Sequence, residues 1–373
     1  MMDNKKLWLH RLLRLILPLV LLFGLIFASA QVKRTQLGPD NNSVYVHATV
    51  TAVLEDHAGA YGSQRVQATI TSGEYEGESC VLENLYEHQG HVYCAPGVKI
   101  LALVHPSQSG TLGGRVYNYD RTGVVYFLLA LFALILIFVG GKKGAAALYA
   151  LVLTFVCILC MYLPLLYLGM NGILAAIATA VVILVASLYI LNGWSGKTLL
   201  AIIGTTLGVG ISGLLAMLAG KGANLSGYNM EEVSSMIFIS DRIGLDLKNI
   251  LYAGALISSL GAVMDVSVSV VAAMEEVYQQ APKLKAGELF ESGMRVGRDM
   301  MGTMSNTLIL AYTGSATGLL LGAYSYQWAY PQIMGSDSIV VEILCGLCGT
   351  IGVVLTVPIQ AGITALYLKR KRT

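Results

Sequence analysis

The stretch NILYAGALISSLGAVMDVSVSVVAA, Asn249–Ala273, decides the fold class. It is long enough to cross a bilayer, which takes about 20 apolar residues. Its one carboxylate is Asp265. A charged group at the centre of such a helix costs roughly 2.5–3.5 kcal/mol on insertion scales. That cost is tolerable where the group faces a protein interior or a wet cavity. The stretch therefore predicts a polytopic α-helical membrane protein with a polar site between helices.

Composition agrees. The chain of 373 residues is 55% hydrophobic and 12% charged, with a mean hydropathy of +0.66. Soluble domains carry about 25% charged residues. The net charge of +2 comes with no dense basic patch, which argues against nucleic acid as a partner.

The apolar runs predict about eight spans: Leu12–Ala30, Val124–Gly140, Ala145–Leu168, Asn171–Leu191, Thr198–Gly220, Asn249–Ala273, Met301–Tyr324 and Ser338–Leu368. The last is long enough for a tilt or a kink at Pro358. The first has a second reading, because Ala28-Ser29-Ala30 after an apolar run is a signal-peptide pattern; cleavage there would leave seven spans. Lys and Arg set the orientation. With the N-terminus in the cytoplasm, one side collects Lys142, Lys143, Lys197, Lys283, Lys285, Arg295, Arg298 and the tail Lys369–Arg372. The C-terminus is then cytoplasmic and residues 31–123 are extracytoplasmic in a cell-membrane protein.

That outer segment is different material. VYVHATVTAVLED, QRVQATITSGEYEGES and VKILALVHP alternate β-branched and polar residues between turn signals. They predict a small β-domain, of a size that suits an OB-type barrel. Three domains follow: residues 1–30 as the first helix or signal anchor, 31–123 as the β-rich domain, and 124–373 as a seven-helix membrane domain. Cys80 and Cys94 share the outer domain and are disulfide candidates. Cys157-x-x-Cys160 and Cys345-x-x-Cys348 lie inside spans without accompanying His or carboxylate, and read as packing residues. NGWSGKT, Asn192–Thr198, lacks the first glycine of a phosphate loop, since Leu191 stands in its place. No cofactor or metal is expected, and no span carries a Ser-His pair or a metal-binding His cluster.

At 3.6 residues per turn, Ser258, Gly261, Asp265, Ser269 and Glu276 share one face of the sixth span. Arg295, Asp299, Gly302, Thr303, Asn306 and Thr313 share one face of the seventh. The two stripes predict a shared interior surface. Asp265, Ser269, Ser258, Thr303 and Asn306 would line a substrate or ion path. Arg295 or Arg298 would pair with Asp299 or Glu276 as a gate at the cytoplasmic mouth. Residues 275–302 predict a cytoplasmic connection with a short surface helix carrying Leu289, Phe290, Met294 and Val296. Glu231, Glu232, Asp241 and Asp246 fall in an outer loop.

GAVMDVSVSVVAAMEEV and SGMRVGRDMMGTMSNTLILAYTGSA resemble the YibE/F family of bacterial membrane proteins. RVYNYDR at Arg115–Arg121, GKKG at Gly141–Gly144 and the NGWSGKT turn extend the similarity from about residue 40 to the end. The resemblance implies a multi-pass protein of the cell membrane. It also implies a hetero-oligomer with a shorter related membrane protein, because relatives occur in pairs. It implies no substrate.

The expected function is a transporter or channel component moving a small ion or solute between the sixth and seventh spans. The alternative is a non-transporting scaffold or accessory protein that binds a partner through the outer β-domain. An enzyme is not expected.

Overall fold

The computed structural model describes residues 4–32, 43–57, 62–85, 92–106, 112–227, 240 and 244–370. The chain forms two compact units, residues 35–139 and residues 1–34 with 140–373.

The first unit holds a five-stranded barrel: β1 (Val44–His57), β2 (Ser63–Ile70), β3 (Ser79–Leu85), β4 (Lys99–Pro106) and β5 (Leu112–Tyr119). The barrel is closed in the order β1-β2-β3-β5-β4. Only the β3–β5 pair is parallel. Strand alternation places Val46, Ala48 and Val50 inside, facing Val66, Ala68, Leu82 and Ile100. Gly114 is required where β5 passes β4: a Cβ there would overlap the Leu103 carbonyl and lie 2.9 Å from Val104 Cα. Gln64 and Asn84 are the polar groups of this core. Asn84 Nδ2 donates to Val92 O (2.6 Å) and to Gln64 Oε1 (3.1 Å), which also accepts from Cys94 N (3.0 Å). The buried amides are thereby satisfied.

The rest is helical: α1 (Asn4–Ala30), α2 (Thr122–Cys157), a π-turn at Ile158–Tyr162, α3 (Leu163–Tyr167), α4 (Gly172–Asn192), α5 (Gly196–Gly222), α6 (Leu247–Gln280), α7 (Ala286–Ser315), α8 (Thr317–Ser325), α9 (Tyr330–Gly335) and α10 (Asp337–Arg370). Among the described residues, five helical segments are long and apolar enough to cross a membrane, and a sixth is α7 with α8, bent by 60°. The expected second and third spans form one run, Thr122–Tyr167, broken at Gly141 by a left-handed φ of 54°. The described apolar part of the first span is shorter, Ile16–Ala30. α10 runs unbroken through Pro358. The expected surface helix is instead the start of α7, where Leu289 is buried.

Local sequence explains the helix starts. Asn171 accepts from the Ile173 and Leu174 amides, Ser195 from Thr198 and Asp246 from Lys248, each satisfying orphan donors. NGWSGKT is thus a helix-to-helix turn. Gly193 closes α4 at φ 75°, and the Thr198 hydroxyl donates back to the Gly193 carbonyl at 2.7 Å.

Close packing of α5 on α6 and α10 uses glycines. A Cβ at Gly208 would overlap Thr356 Oγ1 and lie 2.8 Å from Val263 Cγ1; one at Gly352 would lie 2.7 Å from Ser212 Cβ. α7 packs on α10 the same way, with Gly293 against Ala361 and Gly297 against Val357.

Candidate functional site

Asp265 lies midway along α6, about 27 Å from its start at 1.5 Å per residue. The core face of α6 is Val263, Val266, Val270 and Met274, all buried. Asp265 lies off that face and is exposed. It lines a groove of about 670 Å³ with Lys142 and Lys143 of α2, Asn192 of α4, Ser269 of α6, and Met300 and Met304 of α7. The groove thus gathers an acid, two bases, an amide and a hydroxyl from three helices, with thioethers of a fourth on one wall. Such a set can hold a small charged or polar solute.

The structure brings Asp265 and Ser269 together but separates the other expected path residues. Ser258 is hydrogen-bonded to the Tyr312 hydroxyl and to the Ala255 carbonyl. Thr303 and Asn306 are exposed and do not line the groove; their neighbours Met300 and Met304 do. α7 has two faces of small residues, and the one that packs carries Gly293 and Gly297. The stripe of Arg295, Asp299, Gly302 and Asn306 consequently points out of the bundle. The expectation of two stripes facing each other is corrected.

The expected gate is corrected too. Arg295, Arg298, Asp299 and Glu276 are exposed. Near this end of α6, Lys197 and Glu275 form an ion pair at 3.2 Å, which ties the start of α5 to α6. Gly297, next to Arg298, packs on Val357, 13 positions before Arg370, or about 20 Å along α10.

Cys80 and Cys94 are free and buried. The Cys94 sulfur sits 3.6 Å from Asn84 Nδ2. Asn84 is four residues along β3 from Cys80, about 13 Å at roughly 3.3 Å per residue. A disulfide needs Cα atoms within about 7 Å. Burial pushes both thiols up, Cys94 to about 11. Of the outer-loop acids, Asp246 caps α6, while Glu231, Glu232 and Asp241 lie outside the described residues.

Two groups of residues escaped sequence reasoning. Lys142, Lys143 and Asn192 looked like turn and anchor residues, and nothing local ties them to Asp265. The second group is a polar seam through the bundle core. Gln360 is fully buried and its Nε2 donates to Leu200 O (3.2 Å) and Thr364 Oγ1 (3.1 Å). Its Oε1, with the buried hydroxyls of Thr205, Ser212 and Ser267, has no hydrogen-bond partner among the described residues. Gln360 two residues after Pro358 was the available signal, since an amide at membrane depth is costly unless partnered.

In the outer unit, Asp120 accepts from the Thr122 amide at 3.0 Å and lies 2.9 Å from His47 Nδ1. Hydrogen bonding to Thr122, then to His47, holds its carboxyl below the usual range.

No curated protein and no solved structure matches the chain. A family model described as YibE/F-like protein matches residues 128–370, most of the helical unit and the whole of the Asp265 groove, and the chain belongs to the YibE/F-like family.

Proposed function

We propose that this integral membrane protein is a transporter or channel component, and that its small ion or solute passes the groove at Asp265. The carrying observation is the groove itself: a carboxylate halfway along an apolar helix, sharing about 670 Å³ of space with Lys142, Lys143, Asn192 and Ser269. A group of this kind is rarely kept inside an apolar helix without a pathway or ligand role. The path runs beside α2, α4 and α6, with only the methionine wall of α7, rather than between the polar stripes of α6 and α7.

The cell membrane is its proposed location, with a cytoplasmic C-terminus. Charge clustering supports this. Gly196, at the start of α5, abuts Tyr367 near the end of α10, so Lys197 shares an end of the bundle with Lys369 and Arg370. The barrel is then extracytoplasmic, and its strand order with one parallel β3–β5 pair supports an OB-type reading. A second reading is a scaffold that binds a partner through this barrel. It is favoured by the exposed Tyr45–Tyr117 pair, whose rings meet edge-on at 5.2 Å.

Purified protein in liposomes tests the first reading. Ion and proton flux should depend on Asp265 and fall to background in Asp265→Asn, with the protein still folded and inserted. Equal flux through both proteins, or none through either under any gradient, would favour the scaffold.

A further inference from the structure

We propose that the outward face of α7 is the contact surface for a second copy of this chain, formed about a two-fold axis along the membrane normal. The face carries Arg295, Asp299, Gly302, Asn306 and Thr313, all exposed. At 100° per residue they fall within one narrow sector, opposite the packed side of Gly293, Gly297 and Met304. The stripe from Arg295 to Thr313 is about 27 Å long at 1.5 Å per residue, most of the thickness of a hydrocarbon core.

Depth makes the face unsuitable for lipid. Tyr312 abuts Gly346 and Leu308 abuts Gly349, while Gly297 abuts Val357. The stripe therefore runs beside the middle of α10, an apolar span. A row holding two charges and three small or polar residues at that depth calls for a protein or water neighbour.

Charge and shape select the occupant. Arg295 and Asp299 are one turn apart and, among the described residues, neither forms an ion pair. Two copies inserted with one topology place their α7 helices parallel. A two-fold axis then sets Arg295 of each copy against Asp299 of the other, twice over. An isologous contact needs this self-complementarity. A Cβ at Gly302, on this face, meets nothing within 4 Å, so the helix surface is low there for a second backbone to approach. This inference rests on the membrane reading but not on the Asp265 groove.

The test uses full-length protein in liposomes. In the otherwise native chain, subunit counting by single-molecule photobleaching should find dimers. Arg295→Glu and Asp299→Arg should each weaken dimerisation by about tenfold or more, and the double exchange should restore it. In a chain whose six cysteines are replaced by alanine, Asn306→Cys should cross-link to its own copy on oxidation, and Leu174→Cys, on an exposed apolar face of α4, should not. Monomers throughout, single exchanges without effect, or a double exchange that fails to rescue would overturn the proposal. So would capture of Asn306→Cys by the helix at residues 122–139 of the same chain, or by a different, related protein.

Discussion

Replacing Gly208 by Ala should destabilise the helical unit, whereas the same change two residues on should not. In α5 the added Cβ at position 208 would overlap Thr356 Oγ1 and lie 2.8 Å from Val263 Cγ1. Neither neighbour retreats easily. Both are short β-branched side chains, fully buried, and the Thr356 hydroxyl is held by its bond to the Gly352 carbonyl at 2.7 Å. Overpacking of this kind costs about 1–3 kcal/mol, and the short neighbours place it at the upper end. Alanine recovers up to about 1 kcal/mol of helix propensity at either position. At Gly210 a Cβ meets nothing within 4 Å, so only the gain remains there. The two variants should therefore differ by about 3 kcal/mol. Reversible unfolding in mixed micelles, followed by circular dichroism, measures the difference. Adding Thr356→Ala should return most of the loss at Gly208→Ala, because it removes the obstructing atom. If Gly208→Ala unfolds together with Gly210→Ala, the glycine-mediated contact is not what holds α5 against α10.

Other perturbations address other parts of the molecule. Cys80 and Cys94 should resist iodoacetamide at pH 8 in the folded protein, and both should alkylate in denaturant without reductant; a denatured but unreactive pair would show a bridge. Breaking Lys197–Glu275 with Lys197→Ala should cost no more than about 1 kcal/mol, since the lysine is 45% exposed. Asp120 has a lowered folded pKa, so its contribution to stability is complete above the unfolded carboxylate value. It is lost as pH falls through the lowered one, below about pH 4. Asp120→Asn should flatten that acid limb in a barrel-specific near-ultraviolet signal, and an unchanged limb would remove Asp120 from the account.

Much of the fold could be read from the chain because the signals are local. Apolar runs mark the long helices, and Asn171, Ser195 and Asp246 stand where caps are needed. Period-two alternation in VYVHATV puts Val46, Ala48 and Val50 inside the barrel. Asp265 itself was visible as a charge in an apolar run. Its surroundings were not, because Lys142, Lys143 and Asn192 come from helices 73–123 positions away and carry no sequence mark of proximity. The helical wheel also could not choose between the two small faces of α7. The choice belongs to α10, whose Ala361 and Val357 fit against Gly293 and Gly297. The cysteines failed similarly, since a shared domain says nothing of the distance that separates Cys80 from the Asn84 end of β3.

Closure of the barrel through its parallel β3–β5 pair has a consequence for recognition. An open sheet offers a row of unpaired amides and carbonyls, which another polypeptide can extend by lying alongside. Here each of the five strands has a neighbour on both sides. A protein that engages this domain must therefore read side chains, with Tyr45 and Tyr117 the broadest apolar footing among the described surface residues of β1 and β5. Specificity would then sit in a few aromatic and loop positions, free to diverge without disturbing the hydrogen-bonded wall behind them.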